Sequence, residues 1–215
     1  SIQICRENPK ILYACDRTAP LIHRSDDGGE TWRVYYDFRD DFGKAQFMTS
    51  VVTVLPGDPD TVIASSFCYP VAMAGAVAKI GPKGLIQDLT GNLPRSVLEI
   101  VIDESAPDTL YVTTHVHGVY LSEDGGASWN RLDDRGTGLP RTGYYDLDIH
   151  PRDSSVLFAS SLSGELPDYM VNPPGVKEHL EQSGSIKNID PDAVSGVYKS
   201  TDGGGSWRRV LETVS

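Results

Sequence analysis

Two acidic residues in this 215-residue chain stand where paired carboxylates could work on a glycosidic bond. Glu99 opens "EIVID" and Asp146 opens "DLDIH", so each precedes an alternating apolar run, and the two lie at matching positions in segments that otherwise repeat one another. Inverting hydrolysis of a sugar linkage needs an acid and a base roughly 6 to 10 Å apart, with room for a water between them. Arg95 and Arg141 precede these acids, and Tyr144 and Tyr145 supply rings able to stack on a sugar. The competing reading is structural, because charged residues at strand ends also form salt bridges or line a wet channel.

Other candidate groups are poorer in chemistry. His115 and His117 in "HVH" point to opposite faces of an extended segment, and no third ligand adjoins them, so no metal site is expected there. Asn188, Asp190 and Asp192 have the i, i+2, i+4 spacing that opens a calcium loop. The sixth position is Ala193 where glycine is needed and the twelfth is Lys199 where a bidentate glutamate belongs, which favours a solvated turn. "DFRDDFG" at 37–43 reads as a solvated connection, with Arg39 a secondary binding candidate. No cofactor is expected.

These residues must be positioned by a repeat. "NPKILYA", "DPDTVIA", "APDTLYV" and "RDSSVLFA" align on Leu12, Val62, Leu110 and Leu157, at spacings of 50, 48 and 47 residues. Modules of about 1–46, 47–94, 95–140 and 141–215 follow, in a single region spanning 1–215. In the third module "LEIVID", "TLYVTT", "GVYLS" and "WNRL" are short runs rich in Val, Ile, Tyr and Thr, separated by turn residues. Four antiparallel strands repeated head to tail predict an all-β fold, a β-propeller of about four blades in this chain and part of a larger ring. Ile2 and Ile4, Val52 and Val54, Ile100 and Ile102, and Leu147 and Ile149 would be the matching innermost positions.

One sentence is spelled three times: "SDDGGETW" from 25, "SEDGGASW" from 122 and "STDGGGSW" from 200. Ser25, Ser122 and Ser200, Asp27, Asp124 and Asp202, Gly29, Gly126 and Gly204, and Trp32, Trp129 and Trp207 are its fixed letters. The aspartate would accept hydrogen bonds from its own turn, the glycines would permit positive φ, and the indole would fold between neighbouring sheets. The second module keeps only a glycine turn, in "AKIGPKGLIQDL".

The pattern resembles the Asp box, or BNR repeat, of sialidases, family-74 xyloglucanases, sortilin-type receptors and photosystem assembly factors. In those families the box lies in the turn between a blade's third and fourth strands. The resemblance therefore implies a structural fastener, an extracytoplasmic protein, and ligands on the opposite mouth. The arginine-led R-I-P motif of sialidases does not occur, and no family active site can be matched residue by residue.

The fourth module carries an insertion at 163–196, placed by strand order on that mouth, with Tyr169, Met170 and Val171 as apolar contacts and "VKEHLEQ" as one or two helical turns. A formal charge of -11 disfavours nucleic acid, and no apolar run is long enough to cross a membrane as a helix. A glycan or protein ligand is expected, with further blades supplied by a longer chain or a neighbouring subunit. Four blades alone would leave two apolar sheet faces uncovered. Three readings stay open: a binding or scaffold module, a glycoside hydrolase, and an assembly element of a surface filament or large complex. Ser1 follows no charged-then-apolar leader, so any signal peptide is removed or lies outside this piece. Cys5 and Cys15 could pair, but the favoured reading of all three cysteines, Cys68 included, is free thiols.

Overall fold

Runs such as "LEIVID" and "TLYVTT" pair with their nearest neighbours in sequence, because tight turns allow nothing but antiparallel return. The computed structural model describes residues 1–44, 46, 48–67, 75–133, 136–162 and 189–212. It contains four four-stranded antiparallel sheets, each built from consecutive strands. The first holds β1 (Ile2–Ile4), β2 (Leu12–Cys15), β3 (Leu21–Ser25) and β4 (Arg33–Asp37). The helix α1 (Phe38–Phe42) leads to β5 (Met48–Leu55), β6 (Asp58–Phe67), β7 (Gly75–Gly81) and β8 (Gly84–Asp88). The third sheet is β9 (Val97–Ile102), β10 (Leu110–Thr114), β11 (Val119–Ser122) and β12 (Asn130–Arg131). The fourth is β13 (Tyr144–Ile149), β14 (Leu157–Ser161), β15 (Gly196–Ser200) and β16 (Arg208–Glu212).

Register is the same in all four. Ile2, Val52, Ile100 and Leu147 pair with Ala14, Ala64, Val112 and Ala159. The innermost strands of the last three blades also share a bulge, which leaves Ser50, Leu98 and Tyr145 unpaired.

Three apolar clusters fill the three joints between successive blades, one per joint. Val52 and Ala64 face the first blade while Val51 and Ile63 face the third, as period-2 alternation requires. The first joint, where the following blade has no box, is latched by hydroxyls and an ion pair. Tyr13 donates to the Pro59 carbonyl at 2.9 Å, Tyr35 donates to that of Asp60, and Arg24 pairs with Asp60 at 2.5 Å.

The two outer faces have no blade against them. Ile2 is 65% exposed, Ile4 56% and Val34 53% on the first blade, and Leu211 is 56% exposed on the last. Ile2 and Ile4 hold the expected innermost positions, and their side of the first sheet is one of the two faces expected to lie uncovered in a four-blade chain.

Residues 37–43 depart from the expected solvated connection. Asp37 caps α1, and its carboxylate accepts from the Arg39 backbone and guanidinium at 2.9 and 2.7 Å. Phe38 is fully buried and Phe42 packs beside it, so the segment is anchored in the first joint while Arg39, Asp40, Asp41 and Gly43 stay exposed. Cys5 and Cys15 are free thiols, and Cys68 lies outside the described residues.

Candidate functional site

Each box is one hydrogen-bonding circuit centred on its serine, which ends the third strand of its blade. In the third blade the Ser122 hydroxyl donates to Asp124 at 2.7 Å and accepts from the Gly126 amide at 2.8 Å. The Asp124 carboxylate then takes the Ser128 amide at 2.9 Å and the Ser128 hydroxyl at 2.6 Å. Ser25 with Asp27, Gly29 and Thr31, and Ser200 with Asp202, Gly204 and Ser206, repeat the pattern. These donors hold the Asp124 carboxyl down at about 2 and those of Asp27 and Asp202 below the usual range. In each box the serine hydroxyl and both carboxylate oxygens of the aspartate bond within the turn itself.

The tryptophans act at the joints. Trp129 and Trp207 are 4% and 6% exposed, whereas Trp32, beside the uncovered face, is 41% exposed.

A cavity of about 1040 Å³ runs along the innermost strands of all four blades and ends among their first-to-second turns. Those turns lie on the box face: the Gly28, Gly125 and Gly203 amides bond to the Lys10, Asp108 and Ser155 carbonyls in them. The expectation of a ligand space at the opposite mouth is therefore not what this cavity offers.

Glu99 and Asp146 both line it. They hold the same register position, opposite Thr113 and Ser160, on adjacent innermost strands. Glu99 alternates with Ile100, which packs toward the second blade, so its carboxylate lies on the side of the fourth. Burial, and after it the charge of Asp146, pushes its carboxyl up to about 7. Thr113, its cross-strand neighbour, has a buried hydroxyl with no hydrogen-bond partner. Asp146 and Asp148 are exposed and alternate with Leu147 and Ile149, which face the third blade.

The other expected site residues do not converge on this cavity. Tyr144 is fully buried, its hydroxyl donating to the Pro140 carbonyl at 2.7 Å, so the idea of it stacking on a sugar is corrected. The bulge at Tyr145 sends that ring outward instead, 43% exposed and 6.4 Å from the His115 ring. Arg95 bonds the Gly75 carbonyl at 3.0 Å, the Arg141 carbonyl accepts from the Asp190 amide at 2.7 Å, and neither residue lines the cavity. Burial, Arg131 and His115 hold the His117 imidazole down at about 4. Among the described residues no three His, Cys, Asp or Glu side chains are grouped to hold a metal. Asp190 caps its own turn by accepting from the Asp192 amide at 3.0 Å. Tyr169, Met170, Val171, "VKEHLEQ" and Asn188 lie outside the described residues.

The cavity has acids that reasoning from Glu99 and Asp146 alone passed over: Glu7, Asp103, Glu104, Asp148 and Asp153. The signal was present, since "RENPK", "DESAPD" and "HPRDS" put acids in the first-to-second turns.

This geometry can be set beside known proteins. No family model and no curated protein matches the sequence. Among solved structures, an ancestral GH74 enzyme superposes on 98% of this chain with a TM-score of 0.57 at 12% identity. The Niastella koreensis GH74 enzyme superposes on 99% with a TM-score of 0.50 at 13% identity. The fold is a β-propeller's. The chain spans only 23% and 38% of the length of those two enzymes. YCF48 from Cyanidioschyzon merolae, at 16% identity, gives a TM-score of 0.48 over 97% of this chain and 83% of its own.

Proposed function

We propose that this chain is a binding module of the Asp-box propeller type, working outside the cytoplasm, whose axial cavity grips a basic segment of a protein partner. The observation that carries this reading is the cavity wall. It gathers Glu7, Glu99, Asp103, Glu104, Asp146, Asp148 and Asp153 against Arg152 and an Arg6 that pairs with Glu104, and contains no Phe, Tyr or Trp. Sugar sites rely on aromatic faces and a few placed polar groups, whereas low-dielectric walls of one charge sign concentrate the opposite sign. The net charge of -11 acts in the same direction at longer range. The extracytoplasmic setting rests on the resemblance of the boxes alone.

Calorimetric titration of a lysine-rich peptide and of a neutral xyloglucan oligosaccharide separates the ligand classes. The peptide should bind, more weakly as salt rises, and Asp146→Asn with Asp148→Asn should weaken it about tenfold or more. Binding of the oligosaccharide with no response to the peptide would overturn the reading.

A second reading, glycoside hydrolysis, is favoured by one observation: a Glu99 carboxyl held up at about 7 beside a second carboxylate. Acids whose environments drive their proton affinities apart can divide the roles of acid and base. Glu99 would donate the proton and Asp146 would activate water. Release of reducing ends that disappears in Glu99→Gln would support it.

A further inference from the structure

The second and third joints differ at one equivalent position. On the second blade's face toward the third, Val51 stands opposite Ser65 in register, and the Ser65 hydroxyl bonds to that of Ser50 at 2.5 Å and to the Val97 carbonyl across the joint at 3.4 Å. The Ser50 hydroxyl, carried on the bulge, itself reaches the Val97 carbonyl at 2.8 Å. On the third blade Glu99 stands in place of Val51, Thr113 in place of Ser65 and Leu98 in place of Ser50. Leucine has no hydroxyl, so this bulge offers Thr113 nothing to bond.

Thr113 is fully buried, and its hydroxyl has no partner among the described residues. A buried hydroxyl left unbonded costs stability and gains most from a ligand that bonds it. Directly opposed residues of an antiparallel pair project from one face with Cβ atoms roughly 4.5 to 5.5 Å apart, which sets this hydroxyl beside the Glu99 side chain. Glu99 lines the cavity, and Thr113 stands one strand further from the axis, behind it. Val119, beside Thr113 on β11, and Tyr144 and Leu147 of the fourth blade supply the apolar wall. The Tyr144 hydroxyl is committed to the Pro140 carbonyl. A carboxyl at the entrance and a hydroxyl at the back therefore stand together in an otherwise apolar joint that opens on the axis.

We propose that Glu99 and Thr113 form a lysine seat in the wall of the axial cavity, where the ε-ammonium of a partner's lysine bonds both the Glu99 carboxylate and the Thr113 hydroxyl oxygen. The seat rests on the reading of the cavity as a grip for a basic segment, and adds which side chain that grip selects. An ammonium is a compact charge with three donors on a thin, flexible stem, so it can pass the carboxylate and bond both groups at once. A guanidinium is a wide planar fork suited to the two oxygens of one carboxylate, and it would stop at the exposed acids of the cavity wall, such as Asp146 and Asp148. Those two aspartates add negative charge around Glu99, and the Ser1 amino group adds positive charge.

Calorimetric titration of the 215-residue chain with N-acetylated hexalysine and hexaarginine tests the seat, at pH 8, where the Glu99 carboxyl raised to about 7 is ionised. Hexalysine should bind at least about tenfold more tightly than hexaarginine. Thr113→Val removes the hydroxyl but no bond that the folded chain makes, so its urea midpoint should match or exceed the parent's while hexalysine affinity falls about tenfold and the preference disappears. Thr113→Ser should keep the preference. In the parent, the Thr113 methyl resonance should shift with hexalysine and stay in place with hexaarginine, which reads the seat without any substitution. Equal affinity for the two peptides, or a preference that survives in Thr113→Val, overturns the seat and leaves the acid-lined grip standing. A Thr113→Val variant that loses stability and keeps the preference assigns the hydroxyl to a buried water, and likewise overturns the seat. Failure of both peptides to bind overturns grip and seat together.

Discussion

Trp129 reaches across the joint between the second and third blades and donates its indole N–H to the Leu89 carbonyl at 2.9 Å. The bond ties this box to the blade before it, whereas the Trp32 and Trp207 indoles donate to the carbonyls of Gly29 and Gly204 in their own turns. In the third blade's box the aspartate shapes the turn, the second glycine admits the neighbour's leucine, and the tryptophan closes over both.

Truncating the buried tryptophans should be costly. Trp129→Ala and Trp207→Ala are expected to destabilise by about 3 to 5 kcal/mol each. Trp32→Ala, at a site 41% exposed, should cost less than half of that. Urea unfolding of the three variants gives the comparison, and equal losses would contradict the joint.

Gly126 and Leu89 should be energetically coupled. Gly126→Ala brings a methyl group to 2.9 Å from the leucine at φ +91°, and overpacking of this kind costs about 1 to 3 kcal/mol. Adding Leu89→Ala removes the clash but not the backbone strain, so the double variant should lose less than the two single losses added. A strictly additive double-mutant cycle would dissociate the two residues.

The boxes should give way in acid. Asp124 is ionised in the folded state down to about pH 2, below its ordinary value of 3.8. A lowered carboxyl contributes stability that is present above the unfolded value and lost as pH falls through the folded one. The loss is therefore expected between about pH 4 and pH 2, and Asp124→Asn should shrink it. Acid titrations followed by tryptophan fluorescence measure the difference.

Glu99 has the opposite sign. Its carboxyl is raised from 4.5 to about 7, so its contribution is full below about pH 4.5 and declines as pH rises to about 7. The decline is on the order of 2 kcal/mol, and Glu99→Gln should remove it. Urea midpoints at pH 5 and pH 8 for parent and variant check this, a parent with no decline being the adverse result.

The blades were legible because their signals are local. Glycine and aspartate turns bracket short β-branched runs at a constant spacing, and nothing in the tertiary structure overrides them. The site was legible only in part. Tyr144 and Tyr145 are adjacent and chemically alike, and a one-residue bulge decides which is buried. No residue type in "GYYDLD" announces that extra residue. In "DFRDDFG" the charges hid Phe38 and Phe42, which stand one helical turn apart and anchor α1. Glu99 and Asp146 were found because they occupy equivalent positions in two copies of the repeat. The turn acids were not, because they come together only when four blades share an axis.

Carbon-13 titration of the Glu99 side-chain carboxyl, followed with and without a lysine-rich peptide, tests the acid-lined axis most directly. The account predicts a midpoint near 7 in the free protein, a lower one in Asp146→Asn, and a fall toward the ordinary glutamate value when the peptide binds. A midpoint near 4.5 in the free protein, or one that the bound peptide leaves unmoved, would contradict it.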